Sequence, residues 1–568
     1  MNRAQSQTQI RTRFLVALSL AFVATCFCRS VLAAQPQPGS EAGSRVISGV
    51  LLNAKTGQPI EEAIVTLGEA HDRKLFDTVQ TDAEGRFSFS NLPDGKYALR
   101  ASHRGYIPAA YEQHQAGSFT AIITGDGLNS TDLKFMLEPQ CSLYGTISDD
   151  SGDPVSMARI SLYRVDPGSG TGKLTRANSA TTDGMGSYEL SRLAPGTYYL
   201  AVSGTPWYAT RRQIHDSRGN RIDNMPRSPL DVAYPVTYYP DVTDASSASP
   251  ITVTAGDRIL VNLTLHPVPA VHIVMQVPNP GPSQGFSMPL LRQDIFGTSD
   301  FVPTAGTTVS QRDPRNPNSE MTIEMNGVPP GQYDLMFNAQ SGQPGRSMSL
   351  DATGDRVNLD PSAAVALAEV SGKAAMAGGG ALPSDLTLYF TSRQSGERFM
   401  ARLAPDGSFR LQQPVHPGTY EVSASAAGFS MAVTRLSAIG ATVDGRLLKI
   451  GSEPVIVTAQ LAESVASVSG FAKLDGNPVS GVLLVLAPAN PAPGQEDSRI
   501  NQSDSDGSFE FQHVIAGAYI LVAIQDGWSL DWGRREVMAR YLAKGQSVIV
   551  PAHTKEINLK DPVEVQPK

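Results

Sequence analysis

One segment pattern recurs along this 568-residue chain, and the recurrence restricts the fold more than any single residue does. From Val46 to Tyr106 the segment reads VISGVLLNAKTGQPIEEAIVTL and then TDAEGRFSFSNLPDGKYALRASHRGY. It returns from Leu143 to Gly204, from Val370 to Phe429 and from Val468 to Trp528. A divergent copy keeps only the second half, MNGVPPGQYDLMF, from Met325 to Phe337.

Each of the four fuller copies opens on a strand with Gly at one register, namely Gly49, Gly145, Gly372 and Gly470. Gly inside a strand marks a bulge or a close backbone approach. A turn follows, such as Gly57-Gln58-Pro59, Gly152-Asp153-Pro154 or Gly476-Asn477-Pro478. Next comes an alternating apolar strand, as in Ala63, Val65 and Leu67. An Asp-containing turn ending in Gly then precedes an aromatic strand. Examples are Phe87 with Phe89 and Phe509 with Phe511, each pair on one face of its strand. A second Gly turn leads into a Tyr strand at Tyr97, Tyr198, Tyr333, Tyr420 and Tyr519. Two tails end in alternating strands, Leu133–Leu137 and Val261–Leu265, which read as closing edge strands stopped by Pro139 and Pro267. Short strands between frequent turn signals predict an all-β fold, a tandem array of small β-sandwiches. The repeats set the expected boundaries at 35–138, 139–267, 268–365, 366–462 and 463–568.

This order of strands and turns resembles the carboxypeptidase regulatory-like domain. The resemblance implies a small transthyretin-like, Ig-like sandwich, grouped with carbohydrate-binding-like folds. It extends over most of residues 46–560, strongest in the first and last copies. In its namesake enzymes this domain is not the catalytic part, so the resemblance implies a fold and no peptidase activity.

Residues 1–34 read as a secretory signal peptide. Arg3, Arg11 and Arg13 precede the apolar run Phe14–Cys28, and small residues follow in Val31–Gln35. Fifteen apolar residues fall short of a membrane span, which needs about 20. The expected location is extracytoplasmic: periplasmic, outer-surface or secreted. Cleavage removes Cys26 and Cys28 and leaves Cys141 alone, so the mature chain can close no internal disulfide. Removing four Arg from a net charge of −8 gives −12, which argues against a nucleic-acid partner. No later stretch predicts a membrane span.

Catalytic and metal patterns are weak. The nine His are scattered, without zinc-ligand spacing, and no cofactor is predicted. His553-Thr554-Lys555-Glu556 matches a short zinc-peptidase pattern, but on a predicted strand. Gly168-Ser169-Gly170 lies in a Gly-rich loop without a nucleophile-elbow context. Asp504-Ser505-Asp506-Gly507 places Gly fourth, not sixth as a calcium loop requires, and reads as a β-turn.

Loop aromatics are the binding candidates: Trp207, Tyr208, Tyr238 and Tyr239 in the second tail, Trp528 and Trp532 in the last. Flat rings on loops can stack against a pyranose. Tyr106, Phe429 and Trp528 also each follow a Gly at equivalent repeat positions, which is the mark of a structural plug. Arg211–Arg227 is an Arg-rich insertion that reads as a solvated loop. The sequence therefore predicts a non-catalytic exported protein that binds a polysaccharide or an envelope protein. A spacer or scaffold, which would be elongated, is the alternative, and an accessory region of a peptidase system a remoter one.

Overall fold

Alternation of apolar and polar residues makes strands here, and the opening strand of each copy shows how they pair. In the first sandwich Arg45–Asn53 lies between Arg86–Leu92, antiparallel, and Leu133–Leu137, parallel. Opposite stands a second sheet with Ile64–Glu69 between Leu75–Gln80 and Gly95–Ser102. The inward residues Ile47, Leu51, Val65, Leu67, Phe87, Phe89 and Leu99 meet between the two sheets as one buried core. The computed structural model describes residues 43–70, 75–115, 117–165, 174–209, 228–277, 288–311, 320–337, 345–426, 429–462, 466–491, 498–551 and 554–568. The candidate signal peptide, the Arg211–Arg227 insertion, Gly168–Gly170, Gly428 and His553 lie outside them.

The same plan is repeated four times. The second sandwich is built on Cys141–Asp149 and Arg159–Val165, and the third on Val271–Val277 and Gly331–Phe337. In the fourth, Phe429–Ile439 pairs with both Gly418–Ala426 and Val455–Ala462, which joins the two faces into one continuous sheet. In the fifth, Val563–Gln566 bridges Ala466–Leu474 and Gly517–Ile524 in the same way. Each sandwich has its own apolar cluster. Arg535–Leu542 is the one α-helix among the described residues; it buries Met538 and Tyr541 on the outer face of the fifth sandwich.

The strand glycines have a specific cause. Gly49, Gly145, Gly372 and Gly470 stand directly opposite Phe87, Tyr188, Phe409 and Phe509 on the aromatic strand. A Cβ on Gly372 would lie 1.9 Å from the Val457 carbonyl oxygen and 2.9 Å from the Phe409 ring; one on Gly470 would lie 2.9 Å from the Phe509 ring. Glycine thus admits both the ring and the parallel strand. The third sandwich lacks both partners together: Met275 faces Ile323 at the equivalent register.

The recurring tyrosines have one shared task. Tyr97, Tyr198, Tyr333, Tyr420 and Tyr519 each donate their hydroxyl to the carbonyl four residues back, on Pro93, Ala194, Pro329, His416 and Ile515, at 2.6–2.9 Å. The ring fills the core while the hydroxyl fixes the preceding turn, and burial raises the pKa of all five. One second-tail expectation changes: Val261–Leu265 is not one strand. Arg258–Leu260 and Leu263–Leu265 pair separately with Cys141–Asp149. Between them the Asn262 side chain takes over, accepting from the Thr146 amide at 2.9 Å.

Candidate functional site

The six candidate aromatics divide into three settings. Trp207 and Tyr208 occupy a turn closed by the Ala209 amide on the Pro206 carbonyl, 3.0 Å. Their rings meet edge to face at 5.7 Å and 87°. Trp207 is 75% exposed, whereas Tyr234, which shares a side-chain hydrogen bond with Tyr208, is buried. The pair is therefore anchored through Tyr208 and open at Trp207.

Tyr238 does not lie on the surface. It is 3% exposed, in a cluster with Tyr163, Ala201 and Val236. Phe296, from the third sandwich, completes this cluster with ring distances of 5.3 Å to Tyr163, 5.5 Å to Tyr199 and 5.1 Å to Tyr238. A bulky side chain in the left-handed region is unusual, and Phe296 has φ +53°. The aromatic contacts hold it there, so Tyr238 seals the second sandwich against the third. Tyr239 packs against the second core.

Trp532 is likewise interior, 7% exposed, beneath the helix with Met538 and Tyr541. Its placement corrects the expectation of a loop platform: neither Tyr238 nor Trp532 presents a free ring face. Trp528 donates its Nε1 hydrogen to the Gly481 carbonyl at 3.0 Å and stacks on His114 of the first sandwich at 4.9 Å and 5°.

That stack belongs to a junction between the first and fifth sandwiches. Gln502 is 1% exposed. Its Nε2 donates to the Glu112 carbonyl and to Thr120 Oγ1, both at 2.8 Å, and its Oε1 accepts from His114 Nδ1 at 3.1 Å. The Ala121 amide donates to Asp504 Oδ1 at 3.2 Å, the Ile123 amide to Ser505 Oγ at 2.9 Å, and the Ser505 amide to the Ala121 carbonyl at 3.0 Å. Lys96 Nζ reaches Asp504 Oδ2 at 2.5 Å. Asp504 is 3% exposed; burial raises its pKa and Lys96 opposes the rise. The turn expected at Asp504–Gly507 is present, closed by the Gly507 amide on the Asp504 carbonyl at 2.9 Å.

Consecutive sandwiches also touch. Lys55 meets Asp257 at 3.2 Å between first and second, and buried His272 meets Asp231 at 2.7 Å between second and third. Arg292 meets Glu397 at 3.4 Å, and Ser347 Oγ meets His416 Nδ1 at 3.1 Å, between third and fourth. The fourth and fifth share the walls of a cleft. With the first joined to the last, the array closes on itself.

Residues 46–124 and 142–266 match the family model described as the carboxypeptidase regulatory-like domain. No curated protein matches the chain. Among solved structures, GBS52, the minor pilin of Streptococcus agalactiae, is 16% identical, with 40% of this chain and 97% of the pilin covered at TM-score 0.19. BcpA, the major pilin subunit of Bacillus cereus, is 7% identical over 92% of this chain and 98% of its own, TM-score 0.14. The Bacillus anthracis TIE protein is 11% identical, covering 75% and 76%, TM-score 0.17. Scores of this size give these proteins no bearing on what this chain binds. The matched stretches coincide with the first two sandwiches, so this all-β chain has two tandem sandwiches similar to the carboxypeptidase regulatory-like domain.

Proposed function

We propose that this chain is a non-catalytic, extracytoplasmic binding protein that takes a carbohydrate at Trp207 and Tyr208. One observation carries the reading: Trp207 is the most exposed large aromatic among the described residues, held on an anchored turn. An exposed indole held edge to face against a tyrosine suits stacking on a sugar face. The order of charged, apolar and small residues in 1–34 supports export. The units of the binding protein are 35–138, 139–267, 268–365, 366–462 and 463–568, a division supported by their separate cores. The test is binding of the purified protein to a panel of polysaccharides and envelope fractions beside Trp207→Ala. Saturable binding weakened at least tenfold in the variant is expected; equal binding by both proteins would sink the assignment of this site.

A second reading, a rigid envelope scaffold that docks a protein, is favoured by the junction of the first and fifth sandwiches. It predicts polysaccharide silence, retention by a protein fraction, and indifference to Trp207→Ala.

A further inference from the structure

The fourth and fifth sandwiches enclose a cleft of about 720 Å³, within the range of small-ligand sites. Its charged lining residues are Arg398 and Arg446 on one wall and Arg499, beside His513, on the other; no Asp or Glu lines it among the described residues. Like charges gathered in a concave space focus the field and raise the local concentration of an oppositely charged ligand.

Each guanidinium is oriented, but among the described residues only Arg446 is paired with a carboxylate. Arg446 pairs with Glu421 at 3.3 Å, behind the lining. Arg398 stacks over the Tyr389 ring at 4.1 Å. Arg499 donates to the carbonyls of Gln512, at 2.6 Å, and His513. Carbonyls fix a guanidinium without cancelling its charge, and burial lowers the Arg499 pKa. A planar fork held in this way is prepared for a carboxylate or another oxyanion.

The remaining lining narrows the ligand. Ser423, Ser425 and Asn490 offer hydroxyl and amide groups that match a polyhydroxylated molecule. Tyr389 already has Arg398 over its face, and the Tyr519 hydroxyl is tied to Ile515, so no stacking platform for a base is offered. We propose that this cleft binds an acidic saccharide, its carboxylates held by Arg499 and Arg398 from the two walls. The site is separate from Trp207 and stands or falls independently of it.

The test is calorimetric titration of the full chain with oligogalacturonate, a sulfated dextran oligomer, a neutral oligosaccharide and inorganic phosphate. Oligogalacturonate is expected to bind most tightly, with affinity falling as salt rises. Arg499→Gln is expected to weaken it at least tenfold. Because Arg499 also ties the Gln512–His513 carbonyls, the exposed Arg398→Gln is the second variant, with about a fivefold loss expected from one charge-assisted contact. No binding of oligogalacturonate, equal binding of the neutral oligomer, preference for the sulfated oligomer or phosphate, or indifference to both Arg variants would each overturn the assignment.

Discussion

Gln502 is the side chain through which the closure of the array is most open to attack. Replacing it with Ala removes the two donations to the Glu112 carbonyl and Thr120 Oγ1 and the acceptance from His114. Neutral hydrogen bonds contribute about 1 kcal/mol each in net terms, and a stranded buried partner costs somewhat more, so the junction should lose about 3 kcal/mol. At 1.4 kcal/mol per factor of ten, local opening becomes at least a hundredfold more populated. Native-state hydrogen exchange reads this directly. The Ser505, Ala121 and Ile123 amides, bonded across the junction, should lose protection by about that factor. Amides inside the second sandwich, such as those of Cys141–Asp149, should not change. Unchanged protection at Ser505 and Ala121, or uniform loss over the whole chain, would refute the reasoning that these bonds close a local contact.

Two further perturbations test the physical account of the fold. Gly372→Ala should cost about 3 kcal/mol, at the upper end of overpacking, because the new methyl meets the backbone of the parallel strand; Gly57→Ala, with open space and φ +69°, should cost about 1–2 kcal/mol. Equal losses of melting temperature for the two would count against the ring-and-strand explanation. The raised pKa of Asp504 means that the folded state holds this proton more tightly than the unfolded chain does. Stability linked to it is therefore present at acid pH and declines as pH rises from the ordinary carboxylate value through the folded one. Subtracting the pH profile of Asp504→Asn from that of the parent should isolate this decline, and a difference that rises with pH in the same window would reverse the assignment.

What was legible in the sequence was local. The Gly-to-Tyr order defined the strands because turn chemistry and alternation act over a few residues. The cause of each strand glycine was half-visible: close approach was predicted, but the opposing Phe or Tyr comes from a strand about 40 residues away. The third sandwich hid its first half because Met275 and Ile323 replaced both members of that pair at once. Tyr238 and Trp532 were misplaced since an aromatic near a turn has the same sequence appearance whether it faces water or core. Phe296 was missed outright; its signal was a bulky ring before Gly297 within the polar run Arg292–Asp300. The junction was illegible because its residues are polar, lie in turns, and meet across 388 positions from His114 to Gln502.

The central claim is that five sandwiches form a closed array, and small-angle scattering of the purified protein tests it most directly. A sandwich of about 100 residues has a radius of gyration near 13 Å and a diameter of about 34 Å. Five such bodies in contact, first against last, give about 32 Å or less, whereas the same five in a row give about 50 Å. The account predicts the smaller value, rising in Gln502→Ala. A parent value near 50 Å would contradict it, and would return the chain to an extended spacer with its ends apart.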